Sequence, residues 1–214
     1  LIKARPFKIA IFGSGKGSNM VAIAEAVRAQ SLPISIEIVI SDVPDAKILV
    51  RARELDIPSR YVNPGSFRTK LDEAAEQKYI QIVQEARVDL VVLAGFMRIL
   101  KGNFLRLFEN RVINIHPSLL PAFPGLESWK QALDYGVKVT GCTVHFVDQG
   151  MDTGPIIAQE TVPVLEGDSA ETLHGRIQEK ERMLYPQVLG LLAAGNIRVH
   201  GRHTSRCFTN EGHN

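Results

Sequence analysis

The stretch FKIAIFGSGKGSNMVAIAEAVRAQ (7–30) decides the fold. It opens with a short apolar run, Phe7 to Phe12, which the glycines of GSGKGSN (13–19) stop abruptly. Beyond them Met20, Ile23, Ala24 and Val27 recur at helical spacing and make one face apolar. The reading is strand, tight loop, helix. ISIEIVIS (34–41) is β-branched and strand-like, and AKILVRARELD (46–56) aligns Ile48, Leu49, Ala52 and Leu55 on one helical face. A short RYV strand (60–62), a helix through KLDEAAEQKYIQIVQEA (70–86) and the continuous apolar strand LVVLAG (90–95) follow. Uniformly apolar short strands between amphipathic helices need cover on both faces, which predicts an α/β fold with a mostly parallel, doubly wound sheet.

The pattern then changes. VINIH (112–116) reads as another strand, stopped by Pro117, and the proline-rich SLLPAFPGLE (118–127) reads as a loop. VTGCTVHFV (139–147) and PIIAQETVPV (155–164) are joined by DQGMDTG (148–154), a turn-rich connector that suits an antiparallel C-terminal excursion or a functional loop better than another crossover. A capped helix runs from Asp168 to about Ala194, with Ser169 and Thr172 near its start. No repeat or low-complexity linker divides the chain, so residues 1–200 read as a single domain. The polar, aperiodic tail GRHTSRCFTNEGHN (201–214) is expected to be flexible.

Lys and Arg number 25 against 23 Asp and Glu, a formal charge of +2 over 214 residues. That balance leaves no electrostatic footprint for nucleic acid, so an anionic ligand must be held by a local site. No stretch approaches the ~20 apolar residues that span a bilayer. The run Ile9 to Phe12, behind Lys3, Arg5 and Lys8, is too short for a signal-peptide core. A cytoplasmic protein with no membrane partner is expected, as a monomer or a homodimer. Cys142 and Cys207 lack the paired spacing of a disulfide framework or a zinc site, and His200, His203 and His213 have no metal-ligand spacing. No metal is expected.

Gly13, Gly15 and Gly17 lie between strand and helix, where bare backbone turns tightly and directs amide N–H groups at an anion on the helix N-terminus. A monophosphate fits there, and Ser18 and Asn19 can add side-chain hydrogen bonds. The spacing fails G-x-G-x-x-G because position 18 is Ser, and it fails the P-loop because no G-K-[ST] closes it. The plainer reading is a strand-to-helix turn capped by Ser18.

In NIHP (114–117), strand alternation turns Asn114 and His116 to the same side. Asn114 offers an amide donor for a developing oxyanion, and His116 a proton carrier with an intrinsic pKa near ~6.5, which together suit acyl-type transfer. Asp152 completes the set by pairing with the imidazole and favouring its charged form. Against this, a lone His is more often structural, and His145 in TVHFV reads as a packed or hydrogen-bonded residue. There is no G-x-S-x-G elbow, and Cys142 has no base beside it in sequence, so direct attack by a substrate amine is the simpler chemistry.

GKGSNM (15–20), VVLAGFMRIL (91–100), NIHPSLLPAFPG (114–125), TVHFVDQGMDTGPII (143–157) and a long helix reaching LYP (184–186) together resemble the phosphoribosylglycinamide formyltransferase family of folate-dependent enzymes. The resemblance implies a Rossmann-like formyltransferase fold and a step of de novo purine biosynthesis. In that step the amine of glycinamide ribonucleotide takes the formyl group of the co-substrate 10-formyltetrahydrofolate, and tetrahydrofolate leaves. It further implies that Asn114, His116 and Asp152 are the catalytic group. Gly17, Ser18 and Asn19, with Gln178, Glu179, Lys180 and Glu181, would meet the nucleotide substrate, Glu181 accepting from its amine or hydroxyl groups. Met97, Arg98, Ile99 and Leu100 would bind folate with Asn114 and the loop Asp148, Gln149, Gly150, Met151 and Asp152, which closes on the pterin. The family's ligand-facing Arg falls within FRTKLD (67–72), where either Arg68 or Lys70 can serve; Lys70 is chosen.

Two sister enzymes differ in domain content. A methionyl-tRNA formyltransferase is expected to append a further C-terminal domain, and a formyltetrahydrofolate hydrolase an N-terminal regulatory one. A non-catalytic nucleotide-binding module would leave Asn114, His116 and Asp152 unexplained.

Overall fold

The computed structural model describes residues 5–207. Lys3, His213 and positions 208–214 of the tail lie outside the described residues. Strand β1 (Phe7–Phe12) lies inside the sheet, between β2 (Ile34–Ser41) and β4 (Leu90–Leu93), where both of its faces are covered. Ile9 and Ile11 enter one core, Ala10 and Phe12 the other, and all four are fully buried.

The chain continues through α1 (Ser18–Arg28), β2 (Ile34–Ser41), α2 (Lys47–Glu54), β3 (Ser59–Tyr61), α3 (Glu73–Glu85), β4 (Leu90–Leu93), α4 (Gly102–Leu107) and β5 (Val112–His116). Then come α5 (Ser128–Tyr135), β6 (Val139–Phe146), β7 (Ile156–Pro163), α6 (Ala170–Ala193), β8 (Ile197–His200) and β9 (His203–Arg206). Seven strands form one sheet in the order β3-β2-β1-β4-β5-β6-β7. Strands β1 to β5 pair in parallel, and β6 and β7 each pair antiparallel with the strand before them. This is the doubly wound sheet with an antiparallel excursion.

Strand order reverses beside β1, and in such sheets a crevice opens at the carboxyl ends of the strands. The glycine loop leaves β1 there, Ala94 to Leu100 leave β4, and His116 ends β5. One face of the sheet packs Met20, Ile23, Ile48, Leu173, Ile177 and Val188 from α1, α2 and α6. On the other face the Phe12 ring meets Tyr79, Phe96 and Phe104 edge-on, at centroid distances of 5.4, 5.5 and 6.0 Å. Helix α6 starts at a capping box between Ser169 and Thr172. Further along it, the buried Tyr185 hydroxyl donates to the carbonyls of Leu93 (2.9 Å) and Ile113 (3.3 Å), fastening the helix to β4 and β5.

Two helices escape the sequence pattern. α4 is only 6 residues long, and α5 begins after Glu127 in a left-handed conformation (φ 52°) with no side-chain cap. Within the expected tail, the described residues 201–206 form a turn and a strand. β8 and β9 form an antiparallel hairpin, turning through Gly201 (φ 59°) and Arg202, and Thr204 Oγ1 donates to the Ile156 carbonyl at 2.7 Å. A backbone ladder, the Thr204 anchor and the alternating Ile197 and Val199, which pack against the core, hold the hairpin, and two apolar residues make too short a period to stand out in sequence. Among the described residues, no helix is long and apolar enough to cross a membrane.

Candidate active site

The glycines of the first loop have separate tasks. Gly17 caps α1 at φ 75°, and a Cβ there would lie 2.9 Å from Ile48 Cα. At Gly13 a Cβ would lie 2.8 Å from the Ala94 carbonyl oxygen. These two let the loop settle against α2 and the end of β4. Gly15 is exposed and would meet nothing within 4 Å, so it is the position that leaves room for a ligand. The Ser18-capped turn is corrected: Gly17 is the cap and no side chain closes the helix, so first-turn N–H groups keep the unpaired character that attracts anions.

Asn19, one residue into α1, donates from Nδ2 to Glu181 Oε2 at 3.0 Å, and its Oδ1 is buried without a partner among the described residues. Burial pushes the Glu181 carboxyl up to about 7, against the opposing pull of the Asn19 bond. Gln178 lies one turn before Glu181 on the same helix face, whereas Glu179 is exposed and Lys180 faces Glu160 at 3.9 Å. The structure therefore brings two of the four α6 candidates toward the glycine loop.

Three loops are tied together under the crevice. Ser14 Oγ donates to Asp42 and accepts from the Met97 amide (2.8 Å), while Arg98 Nε donates to Asp42 Oδ2 (2.7 Å). The rest of the Arg98 guanidinium donates to the carbonyls of Phe67 and Arg68. Arg98 thus holds the scaffold with its side chain, and Leu100 is buried in the core. Met97 is exposed and Ile99 half-buried at the crevice. Ile99 N donates to the Thr69 carbonyl at 2.8 Å, and Lys70 bridges to Ile99 through backbone, with Nζ 4.4 Å from the Phe67 ring centroid. Lys70 is therefore set beside the Met97–Leu100 segment, while Arg68 lends it a carbonyl.

At the end of β5 four polar side chains converge. Asn114 pairs across the sheet with His145, Nδ2 to Nε2 at 3.3 Å, and His145 Nδ1 lies 2.8 Å from the Phe146 carbonyl. A carbonyl only accepts, so Nδ1 carries the proton and Nε2 accepts from Asn114. His116 likewise donates from Nε2 to the Phe123 carbonyl at 2.9 Å. Asp152 lies between the two rings, Oδ2 3.5 Å from His116 Nδ1 and Oδ1 3.7 Å from His145 Nε2. Asp152 itself is held at φ 54°, with the Gly125 amide donating to Oδ2 at 2.8 Å. Burial lowers the His145 pKa, and the Phe146 carbonyl and Asp152 pull it back. His145 is the residue the sequence reading set aside. Its only signal is that a strand after VINIH, pairing antiparallel with it, can put TVHFV opposite Asn114.

The loop before Asp152 is shaped by its own side chains. Asp148 Oδ1 accepts from the Gly150 amide (3.0 Å) and Thr153 Oγ1 (2.6 Å), Gln149 Oε1 accepts from Gly102 N (3.0 Å), and Met151 is exposed. Cys142 is fully buried, which pushes its thiol up to about 12. A thiolate nucleophile is disfavoured there. Among the described residues, no three His, Cys, Asp or Glu side chains are grouped as a metal set.

Residues 7–189 match the family described as formyl transferase. Phosphoribosylglycinamide formyltransferase of Bacillus subtilis (strain 168) is 44% identical over 191 residues, covering 89% of this chain and 97% of that protein. The chain belongs to the phosphoribosylglycinamide formyltransferase family. The Escherichia coli (strain K12) family member is 39% identical over 192 residues, covering 90% of each chain. The crystal structure of glycinamide ribonucleotide transformylase 1 from Symbiobacterium toebii superposes with a TM-score of 0.91 at 44% identity, covering 95% of both chains. The Rossmann-like formyltransferase fold of that family is the fold described above, and as a family member the chain is a formyltransferase.

Proposed function

We propose that the enzyme transfers the formyl group of 10-formyltetrahydrofolate to the amine of glycinamide ribonucleotide, a step of purine biosynthesis. The observation that carries the reading is the placement of one carboxylate, Asp152, between two histidines beside the Asn114 amide. The substrate amine attacks the formyl carbon directly. Asn114 has two amide hydrogens, one given to His145, and the other is available for the oxygen of the tetrahedral intermediate. When the carbon–nitrogen bond to folate breaks, that nitrogen takes a proton from His116, directly or through a water, and the former amine gives one up. Asp152 orients the His116 ring and stabilises it when it carries both protons. Holding two substrates in line is the main task, and proximity of this kind contributes roughly 7–11 kcal/mol.

The nucleotide is assigned to the glycine loop with Gln178 and Glu181, and the folate to Met97, Ile99, Lys70 and the 148–152 loop. A tetrahydrofolate-release assay with and without glycinamide ribonucleotide tests the whole reading. Release that depends on the amine is expected; equal release without it, with formate as product, would make the enzyme a hydrolase.

A further inference from the structure

The segments that leave β1 and β4 meet on one acidic side chain that belongs to neither. At their base the backbone joins them: Ala94 N donates to the Phe12 carbonyl (2.8 Å) and Ser14 N to the Gly95 carbonyl (2.9 Å). Farther out the link passes through side chains. Ser14 Oγ accepts from the Met97 amide at 2.8 Å and donates to Asp42 Oδ1, while Asp42 Oδ2 accepts from Arg98 Nε at 2.7 Å. Asp42 follows β2, and its side chain is only 2% exposed, too enclosed to touch a substrate. Each carboxylate oxygen is thus committed inside the protein, one to the glycine loop and one to the Met97–Leu100 segment. Arg98 carries the link on to the carbonyls of Phe67 and Arg68, just before Lys70.

We propose that Asp42 is a positioning residue for both substrates at once, holding the glycine loop and the Met97–Leu100 segment at a fixed separation through Ser14 and Arg98. The proposal rests on the assignment, made above, of the nucleotide to the first and the folate to the second. A buried carboxylate is costly unless its oxygens are paired, so Ser14 and Arg98 are drawn to one arrangement around it. Bonds to an ionised group are also the shorter and stronger kind. Gly13 and Gly17 seat the glycine loop on the fold by close backbone fit, and the carboxylate ties that loop to its neighbour. A residue that touches a ligand acts on that ligand, whereas a shared brace acts on both. If Asp42 served stability alone, its loss would lower the melting temperature and leave both Michaelis constants in place.

The test follows both Michaelis constants, tetrahydrofolate binding, and amide exchange at residues 14–18 and 97–100 in the full chain. Asp42→Ala should raise KM for glycinamide ribonucleotide and for the formyl-folate by about tenfold each, the lower end of what a lost hydrogen bond to a charged group costs. Exchange should quicken in both segments, and the pH dependence of kcat should stay in place because the histidine cluster hangs on other elements. Asp42→Asn can accept from Arg98 with its oxygen and donate to Ser14 with its amide, so it should recover most of both affinities. Should Asp42→Ala fold poorly, Ser14→Ala cuts the same link from the other side: a change in the nucleotide's loop should then raise KM for the folate. Loss of one substrate only, or Asp42→Asn as damaged as Asp42→Ala, would overturn the proposal, as would unchanged exchange in either segment. Faster exchange in both segments and weaker tetrahydrofolate binding, in a protein that does not formylate glycinamide ribonucleotide, would uphold the brace and remove the substrate assignment instead.

Discussion

The glycine loop leaves β1 and the histidine cluster sits on β5 and β6, with β4 between them, and the two are built by opposite means. The loop is positioned by backbone: Gly13 and Gly17 fit against Ala94 and Ile48 where a Cβ would collide, and the whole device lies within a few consecutive residues. The cluster is positioned by side chains from β5, β6 and the 148–152 loop, held by carbonyls of Phe123 and Phe146 and the amide of Gly125. Damage to the loop should therefore appear first as lost packing. Damage to the cluster should appear as lost chemistry in a protein that still folds.

Asp152→Asn should separate the two most widely. It keeps the size and much of the hydrogen bonding but removes the charge between His116 and His145. Turnover should fall by the larger part of the ~10²–10⁴-fold that positioned acid–base groups supply, with both Michaelis constants little changed. Combined with His116→Ala it should cost little more than His116→Ala alone, because groups that act as a unit are non-additive. Fully multiplicative losses would dissolve the pair.

Within the loop, Gly17→Val and Gly15→Val should diverge. The first meets both a left-handed backbone and the α2 backbone, and should lose about 2–5 kcal/mol of stability. The second enters open space and should stay within about 0.5 kcal/mol while raising KM for the nucleotide. Chemical denaturation beside steady-state kinetics reads both quantities. Equal destabilisation would mean that Gly15 is a packing residue too.

Glu181 belongs to the loop's side of the comparison and gives it a pH signature. Its folded pKa of about 7 lies above the ordinary value of 4.5, so between those values the unfolded chain binds fewer protons than the folded one. The contribution is full below pH 4.5 and is lost as pH rises through 7. Glu181→Gln can still accept from Asn19 and should flatten that slope, making the variant the more stable form at pH 8 by at most about 3 kcal/mol. Melting curves from pH 4.5 to 8 with no difference in slope would mean that Glu181 is ionised throughout.

The same contrast explains what could be read in advance. β1, α1, β2 and β4 announce themselves because apolar runs and helical spacing are local, and the strand-to-helix glycine loop is contiguous. β8 and β9 were hidden because Ile197 and Val199 give only two apolar positions of alternation and β9 is polar, held by its ladder and Thr204. His145 was hidden because its partners come from β5 and from Asp152, which only the sheet order brings near. Asp152 was paired with His116 on chemistry and the turn-rich loop that carries it, and the resemblance then named it again; spacing alone does not bring the two together. The engagement of the Arg98 guanidinium by Asp42 and two carbonyls is visible only when three loops are seen together.

Tyr185 is where the two regions meet, and it sets the finest test. It stands one turn beyond Glu181 on α6, yet its hydroxyl reaches the Ile113 carbonyl next to Asn114 and the Leu93 carbonyl at the end of β4. Tyr185→Phe keeps the ring in its fully buried place and removes only that donor. Two buried carbonyls lose a partner, which should cost about 1–2 kcal/mol, or roughly 2–8 °C in Tm for a domain of this size. Asn114 is held from the other side by His145, and Glu181 by Asn19, so both Michaelis constants should stay within twofold. A thermal shift without a kinetic one would show that α6 fastens the two regions without coupling them. If instead KM for the nucleotide rises together with a loss of turnover, the loop and the cluster share one mechanical support, and treating them as separately built regions fails.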